Sequence, residues 1–219
     1  MKARSAAGAP PQAILLPQAR NSGGKPLMEV IGQRRSSRRF SNRQLLLQEL
    51  ADLLWAGFGL SREYAGTGIH TAGSHTAPTA HNWQEIDVFV ATADGLYLYD
   101  PEENALTGLL SEDIRHFTGH PMQPFVLDAP VILIYVADLA QMDDASDWDK
   151  GVFPWADTAV IAENVYLACA SLGLATVVRA LFDRPALSHA MHLRPHQLVT
   201  FSQPVGYPGD EEPSDGDEA

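Results

Sequence analysis

Apolar residues recur at helical spacing along much of the chain. Leucines at every third or fourth position from Leu46 to Leu54 predict an amphipathic helix over 45–58, which glycine ends. A nearly continuous apolar run predicts a longer helix over 157–172 that crosses the core. Weaker patterns predict short helices over 27–35 and 109–118, and another that begins near Pro185.

Period-two alternation and short apolar runs predict the strands. Ile86, Val88 and Val90 alternate with other residues, and Asp94-Gly95 favours a hairpin. The run APVILIYV is apolar nearly throughout, which is typical of a strand buried on both faces. Because hairpins and helices are mixed without a repeating order, the pattern favours an α+β fold over a doubly wound sheet. The predicted strands cover 86–90, 96–100, 129–136, 175–178 and 197–208.

The charge balance narrows the classes of partner. The 219 residues contain 15 basic and 27 acidic side chains, a formal net charge of −12. This acidity argues against nucleic acid or an anionic membrane as a partner. No apolar stretch reaches the roughly 20 residues that a spanning helix needs, and we expect a cytoplasmic protein. The one cysteine, Cys169, lies in an apolar run, so we expect a buried core residue and no disulfide framework.

Composition divides the chain into three regions. Residues 1–25 are expected to form an extended arm, in which AILLP is a segment that can dock on the domain. Residues 26–208 are expected to form the folded domain. Residues 209–219 are rich in Gly, Pro and acids and are expected to form a disordered acidic tail.

A basic cluster follows the first predicted helix. Four arginines and two serines stand together in RRSSRR, from Arg34 to Arg39. Guanidinium groups offer planar bidentate donors and serine adds neutral ones, so the cluster can bind a phosphate. The alternative is a solvated basic helix end, favoured by the helix dipole.

A second polar segment, TAPTAHNWQ over 76–84, precedes the strand at 86–90. Its small hydroxyl residues let a planar ligand approach the backbone, and Asn82 and Gln84 supply amide groups suited to the edge of a heterocycle. It ends a long Gly-, Thr-, Ser- and His-rich stretch over 59–82, and long loops within compact domains are usually functional. The alternative is an ordinary loop that leads into a strand.

Together with the sequence around them, these two segments resemble those of the FMN-dependent nitroreductase family. The similarity spans roughly residues 27–208 and includes RRSSRRF, LADLLWAGFG, APVILIYVADL and QPVGYP. It is strongest to the compact single-domain branch related to thiazoline/oxazoline dehydrogenases. The resemblance implies an α+β fold with a central, mostly antiparallel sheet flanked by helices. It also implies a homodimer with two FMN sites, each built from both subunits.

The resemblance also implies which residues bind the cofactor. The first motif would bind the phosphate, ribityl chain and pyrimidine edge, the second would reach the flavin of the partner subunit, and a third segment would pass the flavin N5. The residues concerned are Arg34, Arg35, Ser36 and Arg38 in the first motif; Pro78, Thr79, Ala80 and Asn82 in the second; and Val178, Arg179, Ala180 and Leu181 in the third. Gln123 is a further candidate for the pyrimidine edge.

The chain departs from the family pattern in two respects. Many members have basic residues after the last strand that complete the phosphate site, whereas here no Lys or Arg follows Arg194. The phosphate would then depend on the first motif, with Arg39 or Arg179 in support. The larger azoline dehydrogenases use a catalytic Lys/Tyr pair, but none of the three lysines here stands in that context, so azoline oxidation by that route is not expected.

Histidines and aromatic residues supply weaker candidates. Partial ligand spacing joins His189, His192 and His196, but Pro195 interrupts a helix that would align them, and no metal site is expected. Loop histidines could line the pocket or donate protons, the alternative being solvated side chains. Those histidines are His70, His75 and His81, and the candidate pocket lids are Trp148, Phe153 and Trp155.

The function implied by the resemblance is that of an FMN oxidoreductase. A reduced nicotinamide, NADH or NADPH, would deliver hydride to the flavin N5, and a small electron-poor acceptor such as a nitroaromatic or quinone would then take it. The chemistry would be centred on the cofactor, and no catalytic side chain is predicted. Two alternatives remain, a dehydrogenase of a small heterocycle and a flavin-binding protein for storage or sensing without turnover.

Overall fold

A computed structural model describes residues 9–62 and 74–210 of the chain. The strands are β1 (Ile14–Leu15), β2 (Leu60–Arg62), β3 (Ser74–His75), β4 (Ile86–Thr92), β5 (Gly95–Asp100), β6 (Ala105–Leu110), β7 (Val131–Asp138), β8 (Ala175–Thr176) and β9 (Gln197–Gly206). The α-helices are α1 (Leu27–Gln33), α2 (Leu47–Phe58), α3 (Asp147–Leu172) and α4 (Arg184–Ala190). His70, Lys2 and nearly all of the acidic tail lie outside the described residues.

The main sheet has the strand order β1-β6-β5-β4-β7-β9-β8, and each of its pairs is antiparallel. Strands β2 and β3 form a separate antiparallel pair within the stretch predicted as a loop. The α+β class and the mostly antiparallel central sheet expected from the sequence are therefore confirmed.

A hydrophobic core covers each face of the sheet, because successive side chains of a strand point to opposite faces. In β4, Val88 and Val90 belong to the core beneath α2 and α3, whereas Phe89 belongs to the core beneath α4. All eight residues of β7 are buried, which confirms the prediction of a strand covered on both faces.

The long helix α3 begins ten residues before the predicted start at 157. Ser146 caps it by accepting the Asp149 backbone N–H on its hydroxyl at 3.2 Å, while Asp149 accepts the Ser146 N–H at 2.9 Å. This capping box starts the helix in an acidic stretch, and the helix continues through Pro154. The sequence leaves residues 141–153 open between a loop and a helix start, and the structure shows the helix start, so the predicted beginning at 157 is wrong by ten residues.

The helix predicted over 109–118 is also wrong. Residues 105–110 form β6, which pairs with β5, and only a short 3-10 turn over Arg115–Thr118 follows. Residues 109 and 110 belong to a strand despite the weak helical pattern, because this strand places Leu106 in the core. Helix α1 ends at Gln33 rather than residue 35, because Arg34 has extended backbone angles.

The described part of the predicted N-terminal arm lies along the domain. Ile14 and Leu15 pair with β6 at the edge of the sheet, so the AILLP segment does dock. Farther along, Arg20 donates from its backbone N and its Nε to Asp52 on α2, at 2.8 and 2.7 Å. No helix among the described residues is long and apolar enough to cross a bilayer.

Candidate functional site

The arginine-rich segment leaves α1 in an extended conformation and runs beside the ends of β8 and β9. Ser37 donates its backbone N–H to Thr176 O at 2.9 Å, and Phe40 forms a β-bridge with Pro208. These contacts fix the backbone of the segment. Arg35, Ser36 and Arg38 remain exposed, and the guanidinium donors of the two arginines face solvent.

A groove of about 500 Å³ opens between this segment and the C-terminal half of α3. Arg34, Arg35 and Ser37 line one side, and Tyr166 and Cys169 lie on the α3 side. Neither Arg35 nor Arg38 forms an ion pair with a carboxylate in the described part of the chain, which leaves their charge available to an anionic ligand.

Lys25 also lines this groove, although sequence analysis did not select it. Its Nζ donates to Gln33 Oε1 at 2.7 Å and to Ala170 O at 3.3 Å. The residue adds a third cationic side chain to the arginine-lined wall. Its isolated position before α1 gave no pattern from which this placement could be predicted.

Tyr166 joins the arginine-rich segment to the third predicted motif. Its hydroxyl oxygen accepts the Val178 backbone N–H at 2.8 Å and lies 2.9 Å from Ser36 Oγ. Its ring lies 5.3 Å from the Arg34 guanidinium carbon, and Arg34 Nε is 4.0 Å from a carboxylate oxygen of Glu163. Sequence reasoning missed Tyr166, whose only signal was its place on the apolar helix.

In the third segment, some backbone N–H groups are hydrogen-bonded within the protein and others are not. Val178 N–H is bound by Tyr166, and Arg179 N–H donates to Ser202 O at 2.7 Å. Ala180 and Leu181 are exposed, and their N–H groups have no partner among the described residues. The backbone donors available to a ligand are therefore those of Ala180 and Leu181.

The structure brings Gln123 and Arg179 together beneath this segment. Arg179 is buried and donates through Nε to Gln123 Oε1 at 2.7 Å, with further bonds to Thr118 O at 2.6 Å and Leu181 O at 2.9 Å. Burial lowers the pKa of its guanidinium to about 10. Its described donors are engaged in shaping the 178–181 segment rather than exposed like those of Arg38.

The 78–84 motif forms a turn with a strained backbone. His81, Asn82 and Gln84 have φ angles of 50°, 57° and 53°, in the left-handed region that non-glycine residues seldom occupy. The Thr79 hydroxyl accepts Gln84 N–H at 3.2 Å, and Ala80 N–H donates to Asp157 Oδ2 at 2.8 Å. Such strain costs about 1–3 kcal/mol per residue and persists only where surrounding contacts fix it.

The two predicted motifs lie on different sides of α3. The 78–84 turn is bound to Asp157, whereas the arginine-rich segment contacts Tyr166. Tyr166 follows Asp157 by nine positions, which on an α-helix is a half-turn of rotation and an axial rise of about 13 Å. One chain therefore presents the motifs on opposite faces of this helix rather than to one ligand.

The candidate histidines have different surroundings. His75 stacks on Phe58 at a ring-centroid distance of 3.9 Å and donates through Nδ1 to Phe58 O at 2.9 Å. Burial lowers its pKa. His81 is exposed and stacks on Trp83 at 4.5 Å. No group of potential metal ligands forms within the described ranges, and His196 instead lies 3.4 Å from Asp138 Oδ1.

Two of the three predicted lid aromatics lie beside the 78–84 turn. Phe153 is 5.8 Å from Trp83 and from Trp148, measured between ring centroids, and Trp148 is 66% exposed. Trp155 lies elsewhere, packed against Phe201 at 5.3 Å.

Comparison with known proteins agrees with this architecture. The model of the nitroreductase family matches residues 31–207. A Ralstonia eutropha JMP134 crystal structure described as a nitroreductase is 35% identical, with a TM-score of 0.84 and 96% of each chain covered. A Methanocaldococcus jannaschii protein, itself an inferred nitroreductase, is 28% identical over 82% of this chain and 90% of its own. A further structure, from the Escherichia coli microcin synthetase complex, shares the fold at 16% identity and a TM-score of 0.68, covering 81% of this chain and 70% of that one.

The chain belongs to the nitroreductase family, and the resemblance seen in its sequence is confirmed. Membership identifies an oxidoreductase.

Proposed function

We propose that the protein is an FMN-dependent oxidoreductase that passes hydride from NADH or NADPH to a small electron-poor acceptor, such as a nitroaromatic or quinone. The observation that supports this most is the set of exposed or groove-lining arginines, Arg34, Arg35 and Arg38, on a protein of net charge −12. A cationic surface concentrated on one segment of an acidic chain favours an anionic ligand.

The residues present fit FMN chemically. Arg34 and Arg35 supply donors for a phosphate, and Ser36 is joined through Tyr166 to the segment whose Ala180 and Leu181 N–H groups are available. A groove of about 500 Å³ is in the range that small-molecule sites occupy. When bound, FMN would supply the two-electron hydride chemistry between a nicotinamide and an acceptor.

The chain's own residues would then bind and orient the cofactor and stabilise its reduced form. The arginines would hold the phosphate, and their positive charge would favour an anionic reduced cofactor. The Ala180 or Leu181 N–H would donate to the cofactor ring. No side chain needs to act as a nucleophile, which agrees with the absence of a nucleophile–base pattern in the sequence.

We extend the proposal to a homodimer whose site uses both subunits. The 78–84 turn and the arginine-rich segment lie on opposite faces of α3, so a single chain offers half of the predicted contacts at each. Apolar side chains on α1 and α3 are exposed and give a surface that a second copy would cover. They are Leu27 (63%), Met28 (77%), Ile31 (49%), Val152 (39%) and Val160 (37%). Reduced nicotinamide is a cytoplasmic reductant, and the proposed activity belongs in that compartment.

The first experiment is a visible spectrum of the protein purified without added cofactor, followed by anaerobic addition of NADH or NADPH. Flavin bands that bleach would support the proposal and identify the reductant. Bands that do not bleach would favour storage, sensing or a dehydrogenase reduced by its own substrate. A colourless protein that fails to take up FMN would contradict the cofactor assignment.

The cationic site is tested by the double variant Arg34→Ala, Arg38→Ala. We expect it to lose FMN while keeping the circular dichroism spectrum and unfolding transition of the wild type. Lys150→Ala is the control, because it removes a positive charge near the opposite end of α3. Wild-type FMN occupancy in the double variant would refute the role of these arginines.

A further inference from the structure

Glu85 is a fully buried carboxyl group directly before β4. Its Oε2 accepts the Thr79 hydroxyl at 3.2 Å, whereas Oε1 has no hydrogen-bond partner among the described residues. An unpartnered buried carboxylate oxygen is costly, so this group requires an explanation.

Asp157, on the adjoining turn of α3, supplies that explanation. It is 7% exposed, and its Oδ2 accepts the Ala80 backbone N–H at 2.8 Å. Burial, and to a smaller extent the neighbouring charge of Asp157, raise the pKa of Glu85 to about 7. Two ionised carboxylates can only accept hydrogen bonds, but one proton converts an acceptor into a donor and removes the repulsion.

Other titratable groups near the pair do not neutralise it with a positive charge. His75 lines a cavity of about 10 Å³ with Thr79 and Asp157, and its burial favours the neutral ring. Asp138, at the end of β7, donates its backbone N–H to Glu85 O at 2.7 Å, but its carboxylate accepts from Arg194 at 2.8 Å. Within the described ranges, no Lys or Arg forms an ion pair with Glu85 or Asp157.

Both carboxyls bind the strained turn that bears the second motif. Glu85 holds it through the Thr79 side chain, and Asp157 holds it through the Ala80 backbone. The next residues, His81 and Asn82, have the left-handed backbone angles. The turn therefore depends on two acids that oppose each other when both are charged.

We infer that buried Glu85 carries a proton that it donates to Asp157, and that the two act as positioning residues that hold the 78–84 turn in place. Loss of the proton at higher pH would put a second negative charge in this buried site, and its repulsion from Asp157 would loosen the turn. The contact of the turn with a flavin in the partner subunit rests on the proposed function, but the proton on Glu85 does not.

The direct test is infrared difference spectroscopy of the full-length apoprotein, because a protonated carboxyl has a C=O stretch apart from the carboxylate bands. We expect a carboxylic acid band at about pH 6 that titrates away towards about pH 8, since the group's raised pKa lies between them. Burial also raises the pKa of Asp87, to about 6, so the proteins compared all carry Asp87→Asn. In that background the band should be absent in Glu85→Gln and retained in the control Glu103→Gln, whose side chain is exposed. A wild type without the band, or a band retained in Glu85→Gln, would overturn the inference.

A second measurement follows the turn itself through FMN affinity. We expect the wild-type Kd to rise several-fold more than that of Glu85→Gln over the same pH interval, because glutamine keeps a neutral donor at that position. Parallel pH dependence in the two proteins would contradict positioning by the pair. If Glu85→Gln does not fold, Asp157→Asn replaces it: the Glu85 band should then titrate away at a lower pH and the FMN Kd should rise less than in the wild type, because the neighbouring charge is gone. An unchanged titration would contradict the inference. Failure to bind FMN at any pH would count against the proposed function, whereas the infrared result would still decide whether Glu85 is protonated.

Discussion

The Tyr166 hydroxyl lies 2.9 Å from Ser36 Oγ. The same oxygen accepts the Val178 N–H, so it joins the arginine-rich segment, the long helix and the strand-like segment after β8 at one atom. These parts of the chain are far apart in sequence, and a helix residue thereby fixes the distance between the predicted phosphate donors and the predicted ring donors.

Replacing this hydroxyl should weaken cofactor binding more than folding. In Tyr166→Phe, the Val178 N–H and Ser36 lose one partner each while the ring remains packed. We therefore expect the free energy of FMN binding to weaken by about 1 kcal/mol, which is a several-fold rise in Kd. Quenching of flavin fluorescence on titration measures it. Tyr99→Phe is the control, because Tyr99 is a buried tyrosine of β5 in the core. Equal FMN affinity in the wild type and Tyr166→Phe would show that the hydroxyl does not support the site.

Lys25 should contribute to the phosphate site in place of a basic residue after the last strand. We expect Lys25→Gln to raise the FMN Kd by about three- to tenfold at low salt and less at high salt, because an exposed charge is screened. Isothermal titration at two salt concentrations measures both effects. Lys150→Gln is the matched control, and an affinity independent of Lys25 at both salt concentrations would exclude it from the site.

Asp52 should make folding sensitive to acid. Although burial alone raises its pKa, hydrogen bonds from Arg20 and Gln48 lower it overall. Because the folded pKa is below the unfolded value, the pair stabilises the fold above the unfolded pKa, and that contribution is lost as pH falls through the folded pKa. We expect Asp52→Asn to reduce the free energy of unfolding by about 1 kcal/mol near neutral pH, a modest value because Arg20 is exposed, and to match the wild type in acid.

Urea unfolding at neutral and acidic pH compares Asp52→Asn with Asp128→Asn, which alters an exposed carboxylate. A difference from the wild type that persists unchanged in acid would mean that the ion pair is not its cause.

Cys169 should be inert in the native protein. It is 1% exposed, and burial raises the pKa of its thiol well above the ordinary value, so the reactive thiolate is scarce. We expect a disulfide reagent such as DTNB to react only as the protein unfolds and then to release one equivalent of thiolate. Rapid reaction of the folded protein would contradict this burial and indicate that the nearby groove admits the reagent.

Strands and the family were predictable because their signals are local. The alternation at Ile86–Val90 and the uninterrupted apolar run in β7 each place a strand without knowledge of its partners. The motifs at Arg34–Arg38 and Pro78–Asn82 are contiguous, so they could be recognised from the sequence alone. Burial of Cys169 followed from its apolar neighbours, and the structure confirms it.

Other features depend on contacts between distant segments and could not be predicted. The helical pattern at 109–118 gave way to pairing with β5, and the connection of Tyr166 to Ser36 requires α3 to pass beneath the arginine-rich segment. In the sequence, Glu85 is an ordinary polar residue before a strand, and nothing around it indicates burial. Only the fold shows that it is fully buried and close to a second acid.

The close approach of the arm to β6 also bears on solubility. A side chain at Gly108 would overlap the Pro11 carbonyl oxygen, so glycine there lets the arm lie flat against the strand, and β1 then pairs with the outer backbone of β6 at Ala105 and Leu106. An uncovered edge strand is a template for pairing with other chains. The N-terminal segment thus acts as a guard against aggregation, and a protein shortened past Leu15 would be expected to form intermolecular sheets before it lost its fold.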